Sequence, residues 1–474
     1  MKRYLTTTLP YVNADPHIGF ALEIVQADAL ARAWRLQGDE VFFTTGTDEH
    51  GQKIWEAAEK AGKGIHAYVD HYSDEVKKLG DALNLSNDTF VRTTDAGHIR
   101  AAEEMWRRCM AAGDIYKKSY TGLYCVGCEL YKTERELEDN HCTLHPTLEL
   151  QKITEENYFF RFSKYQDKLL AYLNTEAVIV PEWRREEAIN FVRGGLEDFS
   201  ISREKERLAW GVPVPGDENQ VMYVWFDALT NYISTLGWPE EDGNFKTFWN
   251  EGKVVQVAGK DQVRFQSLMW QAMLMSAQVK NTDQVFYHGF INSGGQRMSK
   301  SLGNVISPYD LVKKYGTDAT RYLLLRHVHP VEDSDVTWER LDEWYTANLV
   351  NGLGNLVARV MKLAEANLEV PVSRPEPSEF PQELLNVSGN FEFQKGMDYI
   401  WGRIQDADAR IASEEPYKVV KVDAEKGRAI IAELALEVYS IARFLKAFMP
   451  ETAETIKAAV LENKKPENLF PRLT

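Results

Sequence analysis

Tyr4-Leu5-Thr6-Thr7-Thr8-Leu9, followed after a short loop by Pro16-His17-Ile18-Gly19-Phe20, is the stretch on which the fold turns. The first run has the β-branched and apolar content of a strand, and an apolar period of helical spacing then runs from Gly19 to about Leu36. A strand feeding a helix through a short loop opens a βαβ unit, and the grammar continues: Glu40 to Thr45 reads as the next strand, with helices expected from there through Gly113. Past about Ile115 the alternation breaks into shorter segments. It resumes with strands expected at Val221 to Trp225, Val254 to Ala258 and Val285 to Phe290. One parallel sheet split by an insertion is predicted. The chain has no GxGxxG stretch, which disfavours the dinucleotide-binding form of the Rossmann fold. From about Trp338 it reads as helices alone, with a linker containing Pro371, Pro375, Pro377 and Pro381. Neither an internal repeat nor a low-complexity tract is found.

At 474 residues the chain is too long for one ordinary core, and 44% apolar with 27% charged residues describes a folded protein of two to four domains. No apolar run reaches membrane-spanning length, and the first residues enter a strand pattern without the regions of a signal peptide, so a cytoplasmic protein is expected. A formal charge of −16 argues against indiscriminate nucleic-acid binding, which needs Lys and Arg on phosphates, yet leaves room for a local basic face.

Three of the four cysteines cluster: Cys125-Val126-Gly127-Cys128, thirteen further residues, then Cys142-Thr143-Leu144-His145. Two half-sites of that spacing each present two soft ligands to one ion, and a complete set of three thiolates and one imidazole leaves no open coordination position. Structural zinc on Cys125, Cys128, Cys142 and His145 is expected, with His141 the local competitor for His145. Cys109 falls in a helical pattern and is read as core.

Arg297-Met298-Ser299-Lys300-Ser301 follows Ser293-Gly294-Gly295 and precedes Gly303. A lysine and an arginine on a glycine-hinged loop suit a phosphate clamp that closes and reopens. His17, where a strand passes into a helix, could meet a phosphate together with the helix N-terminus. Taken alone, a histidine before a helix is more often a cap or a core residue.

Together and in this order, the stretches around His17 and Lys300 resemble the HIGH and KMSKS boxes of class I aminoacyl-tRNA synthetases. Leu9-Pro10-Tyr11-Val12-Asn13, Thr47-Asp48-Glu49-His50-Gly51, Tyr223-Val224-Trp225-Phe226-Asp227-Ala228 with Tyr232, and Gly259-Lys260-Asp261 narrow the resemblance to the methionyl-tRNA synthetases. The cysteine cluster falls where that family's connective insertion carries a zinc knuckle. The resemblance runs from about Tyr4 into the C-terminal helices. It implies an α/β chain with a Rossmann-like catalytic domain in two halves, 1–115 and 221–327. Between them lies a connective insertion, 116–220; a stem-contact linker, 328–345, and an all-α anticodon-binding helix bundle, 346–474, follow.

The same resemblance implies the chemistry: ATP activates methionine to methionyl-adenylate, and the methionyl group passes to the 3′ end of tRNA(Met), with Mg2+ accompanying ATP and Zn2+ structural. Asp48 would pair with the substrate ammonium, and Leu9, Tyr11, Trp225, Ala228, Tyr232 and Gln266 would enclose the thioether. Gly259 and Asp261 would hold the ribose and Ile291 the adenine, with Gly19 and Phe20 beside the nucleotide. His17, Arg297 and Lys300 would stabilise charge on the phosphates. Asn355 and Arg359, one helical turn apart, and Tyr417 would meet the tRNA anticodon. The insertion is short for a separate editing domain, none is expected, and with the chain ending at Thr474 a monomer is expected.

The chain departs from the family pattern at a few positions. Phe20 replaces the last histidine of HIGH, Arg297 the first lysine of KMSKS, and Gln266 a histidine beside the methionine pocket; Gln262 and Leu229 are also unusual. These bear on rate and substrate choice rather than on the type of reaction. Two rivals follow: a class I synthetase for leucine, valine or cysteine, and a catalytically silent RNA-binding relative that binds tRNA without activating an amino acid.

Overall fold

Residues 4–6 are buried, and around them the sheet grows in both directions. Its strands are β1 (Lys2–Thr6), β2 (Glu40–Thr47), β3 (Thr89–Arg92), β4 (Ile179–Val180), β5 (Lys253–Gly259) and β6 (Gln284–His288), in the order β3-β2-β1-β5-β6-β4. Every pairing is parallel. A parallel sheet is covered on both faces, which is why β5 from Val254 onward and all of β6 are buried without alternation. The chain leaves β1 toward β2 and β3, then returns on the other side through β5 and β6. The carboxyl ends of β1 and β5 therefore part at the switch point, where ligands of such sheets bind.

The computed structural model describes the whole chain except residues 128–129, 133–136, 144, 299–303, 376–378 and 474, and only the backbone of Leu130 and Arg297. The described residues fall into two compact units. One comprises Met1–Pro16, Glu40–Lys78 and Asn87–His288; the other comprises His17–Asp39, Leu79–Ser86 and Gly289–Thr474.

The first unit holds the six-stranded sheet and a core rich in tryptophan, with Trp106, Trp249 and Trp270 almost wholly buried. Three expectations change here. β3 is a strand inside the stretch expected to be helical. The insertion is not separate from the sheet, since β4 comes from within 116–220 and pairs with β6. The expected strand Val221 to Trp225 is divided: Asp217–Met222 joins a three-stranded antiparallel sheet, and Val224–Ala228 is a helix. The β-branched and aromatic residues of this run favour a strand locally, but the ladder with Ser202–Glu204 ends at Met222, and the Phe226 and Asp227 N–H groups donate to the Tyr223 carbonyl, which starts the helix. The insertion itself is built on a long antiparallel pair, Ile115–Cys125 with Gln151–Phe160, in register from Ile115 opposite Phe160 to Tyr124 opposite Gln151.

The second unit is mainly helical. The Ile18–Leu36 helix buries residues all round its circumference, including Asp28 and Gln26. Asp28 is neutralised by Arg321 at 2.7 Å and Arg32 at 2.7 Å, and it accepts from the Ser86 backbone N–H and hydroxyl at 2.6 Å. Trp34 Nε1 donates to the Ser388 carbonyl at 3.0 Å. Asn355–Asn367, Phe393–Glu414, Ala424–Leu445 and Pro450–Leu461 supply the expected C-terminal helices. Gly294 and Gly295, expected as hinges, occupy a two-residue hairpin turn with φ of +63° and +74° between Ser293 and Gln296. No helix among the described residues is long and apolar enough to cross a membrane.

Candidate active site

Beyond the carboxyl end of β1 the backbone continues alongside that of β2. Asp48 N–H donates to the Pro10 carbonyl at 3.0 Å, Val12 N–H donates to the Asp48 carbonyl at 3.3 Å, and Tyr11 and Asp48 are partners in a parallel bridge. The Asp48 side chain belongs to a residue only 3% exposed, so its charge interacts in a poorly screened setting. Beside it, Tyr11 meets Trp225 edge to face, with centroids 6.0 Å apart, and Trp225 stacks on Phe265 at 3.7 Å and 14°. Tyr232 and Ala228 are buried on the helical turns that follow Trp225, and the Tyr232 hydroxyl donates to Gln266 Oε1 at 2.9 Å. Trp225 Nε1 and Gln266 Nε2 are buried donors with no acceptor among the described residues. Leu9 is half-buried at the exit of β1. All seven residues expected around an amino acid therefore lie in the first unit; the bridge and ring contacts join Asp48, Tyr11 and Trp225, and the hydroxyl contact joins Tyr232 to Gln266.

At the end of β5, a Cβ on Gly259 would stand 2.8 Å from Asp261 Oδ1. Glycine is what allows the exposed Asp261 carboxylate to fold back over its own strand end.

Sequence reasoning missed the network that holds the Asp48 turn. Glu49, fully buried, receives Arg92 Nε at 2.6 Å, Arg92 Nη2 at 3.0 Å, and the hydroxyls of Thr47 at 2.8 Å and Thr94 at 2.5 Å. On its other side, His50 Nδ1 lies 2.6 Å from Asp227 Oδ2, and His98 Nε2 lies 2.7 Å from Asp227 Oδ1. Burial pushes the Asp227 pKa up, but the two imidazoles outweigh it and leave the carboxyl at about 2. Phe265 was missed as well. The available signal was the presence of His50 and Asp227 inside two of the quoted motifs.

In the second unit, His17 is the N-cap of the Ile18–Leu36 helix, and its Nδ1 accepts the Phe20 N–H at 3.3 Å. With Nδ1 accepting, a neutral imidazole carries its proton on Nε2, a donor suited to an anionic oxygen. A Cβ on Gly19 would lie 3.0 Å from the His17 ring, so glycine accommodates the folded-back cap. Phe20 is buried, 6% exposed, on the first turn of this helix. Ile291 is buried on a short strand paired with Ser334–Asp335, and Gly295 N–H donates to Asp335 Oδ1 at 2.8 Å. Lys300 lies outside the described residues, as does the side chain of Arg297.

Asn355 and Arg359 both sit on the Asn355–Asn367 helix, Asn355 exposed and Arg359 paired with Asp408 at 2.9 Å. Tyr417 is exposed, and its hydroxyl donates to Glu415 at 3.1 Å.

Cys125 Sγ, Cys142 Sγ and a ring nitrogen of His145 lie within 4.8 Å of one another, with Cys125 Sγ 3.9 Å from His145 Nδ1. Ligand atoms on a tetrahedral zinc stand roughly 3.5–3.8 Å apart, so the donor set and its spacing fit that ion. Gly127 is required there, because a Cβ would come 2.5 Å from the His145 ring. Cys128 lies outside the described residues. His141 stands apart, exposed, with Nδ1 2.9 Å from the Asp139 carbonyl. Cys109 is core as expected, and burial pushes its thiol up to about 12.

The family model described as tRNA synthetases class I (M) matches residues 3–147 and 132–361. A methionine–tRNA ligase of Brucella suis is 38% identical over 471 residues, covering 96% of this chain and 91% of that protein. One of Mycobacterium leprae is 40% identical, covering 95% and 87%. Among solved structures, Mycobacterium tuberculosis methionyl-tRNA synthetase in complex with methionyl-adenylate superposes with a TM-score of 0.88 at 37% identity, covering 99% of this chain and 98% of that one. Its apo form gives 0.83 at 34% identity, covering 100% and 98%. Sheet order, the acid beside an aromatic recess, and near-complete coverage all agree: the chain belongs to the methionyl-tRNA synthetase family of class I aminoacyl-tRNA synthetases.

Proposed function

We propose that the chain activates methionine with ATP, forming methionyl-adenylate and pyrophosphate, and then passes the methionyl group to the 3′-terminal hydroxyl of tRNA(Met). The observation that carries this reading is the buried Asp48 carboxylate beside the Tyr11, Trp225 and Phe265 rings at the end of the sheet. A carboxylate for an ammonium, next to apolar and polarizable walls, suits an amino acid with a thioether side chain. Leu9, Ala228, Tyr232 and Gln266 complete the enclosure in this reading.

The methionine carboxylate attacks the α-phosphorus, the bond to pyrophosphate breaks, and the tRNA hydroxyl later attacks the acyl carbon with release of AMP. Neither step needs a side-chain nucleophile, so catalysis rests on placement and on charge stabilisation at phosphate oxygens. His17, Arg297 and Lys300 are assigned the phosphates, Gly259 and Asp261 the ribose, and Gly19 and Ile291 the rest of the adenosine. Phe20 is given a supporting part at the helix start. Mg2+ would accompany ATP and screen its phosphate charge. Zinc on Cys125, Cys128, Cys142 and His145 would be structural, and Asn355, Arg359 and Tyr417 would face the anticodon.

The test is aminoacylation of a tRNA(Met) transcript. ATP-dependent charging with methionine, and none with leucine, valine or cysteine, is expected; tRNA binding without charging would refute the proposal.

A further inference from the structure

We propose that Asp227 is a positioning residue for methionine activation: its buried carboxylate fixes the turn bearing Asp48 to the helical turns bearing Trp225, Ala228 and Tyr232. The inference rests on the methionine reading above and assigns a task to residues that reading leaves unused. Asp227 is fully buried, and each of its oxygens takes one imidazole, His50 Nδ1 at 2.6 Å and His98 Nε2 at 2.7 Å. Among the described contacts it has no Lys or Arg partner.

The connectivity gives the carboxylate its purpose. His50 is two residues beyond Asp48, and Asp227 is two beyond Trp225 and one before Ala228. One hydrogen bond thus joins the backbone that carries the substrate's counter-ion to the backbone that carries the thioether wall. His98, from the Ala96–Ala111 helix, extends the tie, since its Nδ1 lies 3.0 Å from the hydroxyl of Ser234, two residues beyond Tyr232. On the far side, Glu49 is held by Arg92, Thr47 and Thr94, and the Glu49 carbonyl accepts from Trp210 Nε1 at 2.5 Å, so the turn has little freedom to move alone. A buried carboxylate is costly to desolvate, and packing alone could be met by an apolar residue. What two imidazole bonds add is fixed direction between three segments of the pocket.

Amide side chains separate this role from a merely structural one, because an asparagine nitrogen can stand where His Nδ1 stood and a glutamine nitrogen cannot. ATP–pyrophosphate exchange on the full chain should show the KM for methionine rising on the order of tenfold in Asp227→Asn and His50→Gln, with the KM for ATP within about twofold. His50→Asn should restore the methionine KM to within about threefold of wild type, and Asp227→Asn with His50→Gln together should be no worse than the poorer single variant. If Asp227→Asn does not fold, the His50→Gln and His50→Asn pair carries the same expectation. Equal methionine KM values in that pair, or parallel rises in both KM values, would overturn the inference. Absence of methionine-dependent exchange in the wild type would instead overturn the reading on which it rests.

Discussion

Gly259 shows how a single missing methyl group sets the position of a neighbour. A Cβ there would come 2.8 Å from Asp261 Oδ1, so Gly259→Ala must displace that carboxylate. The KM for ATP in this variant is expected to rise by about tenfold while the KM for methionine is nearly unchanged, as read by exchange kinetics. Asp48 and Trp225 became candidates through motifs that resemble the family's, and Tyr232 through its place just after the second of them. His50 and Asp227 lie in the same motifs but were passed over, since a buried carboxylate is explained by its partners. One of those partners, His98, comes from a distant helix that no local pattern links to it. Phe265 was illegible for the same reason: its stack on Trp225 is a tertiary contact.

Among the elements, the Ile18–Leu36 helix was readable from its apolar period, but not its buried charge. Asp28 and Arg321 are both fully buried, and Arg321 also donates to the carbonyls of Phe448 at 2.8 Å and Leu83 at 3.0 Å. Removing one partner strands the other, so Arg321→Ala should destabilise this unit by about 3–5 kcal/mol. Asp28→Leu combined with Arg321→Met should recover much of the loss; urea denaturation of the variants measures both. The cysteine-bearing element was read from spacing alone, because metal ligands must recur at the intervals that turns impose. Purified protein should carry about one zinc per chain by elemental analysis, and Cys142→Ser should lose it. The Val221–Trp225 run was misread because β-propensity describes a residue's own preference, whereas the strand pairing stops at Met222 and the backbone from Tyr223 onward enters helical hydrogen bonds.

For the molecule as a whole, buried titratable groups set the response to acid. His327 stacks on Trp344 at 4.3 Å and 2°, and burial, then Arg326, lower its pKa to about 3. A histidine kept neutral by the fold takes up a proton first in the unfolded chain, so stability falls as pH drops from about 6.5 toward 3, by up to about 1.4 kcal/mol per pH unit. His327→Phe, which keeps a ring on Trp344, should flatten the loss between pH 7 and 5 in thermal unfolding. Asp227 and Asp28, both lowered, contribute stability that disappears only at stronger acid, below about pH 4. The parallel sheet and the helical C-terminal region were legible at this scale, whereas β4 was not, because an edge strand of two residues carries too little pattern. The central claim is that a carboxylate beside an aromatic recess selects methionine for adenylation, and methionine-dependent ATP–pyrophosphate exchange by wild type beside Asp48→Ala tests it directly. Robust exchange in the wild type and a loss of roughly tenfold to hundredfold or more in the variant are predicted. Exchange that is indifferent to methionine, or undiminished without the Asp48 carboxylate, would contradict the account.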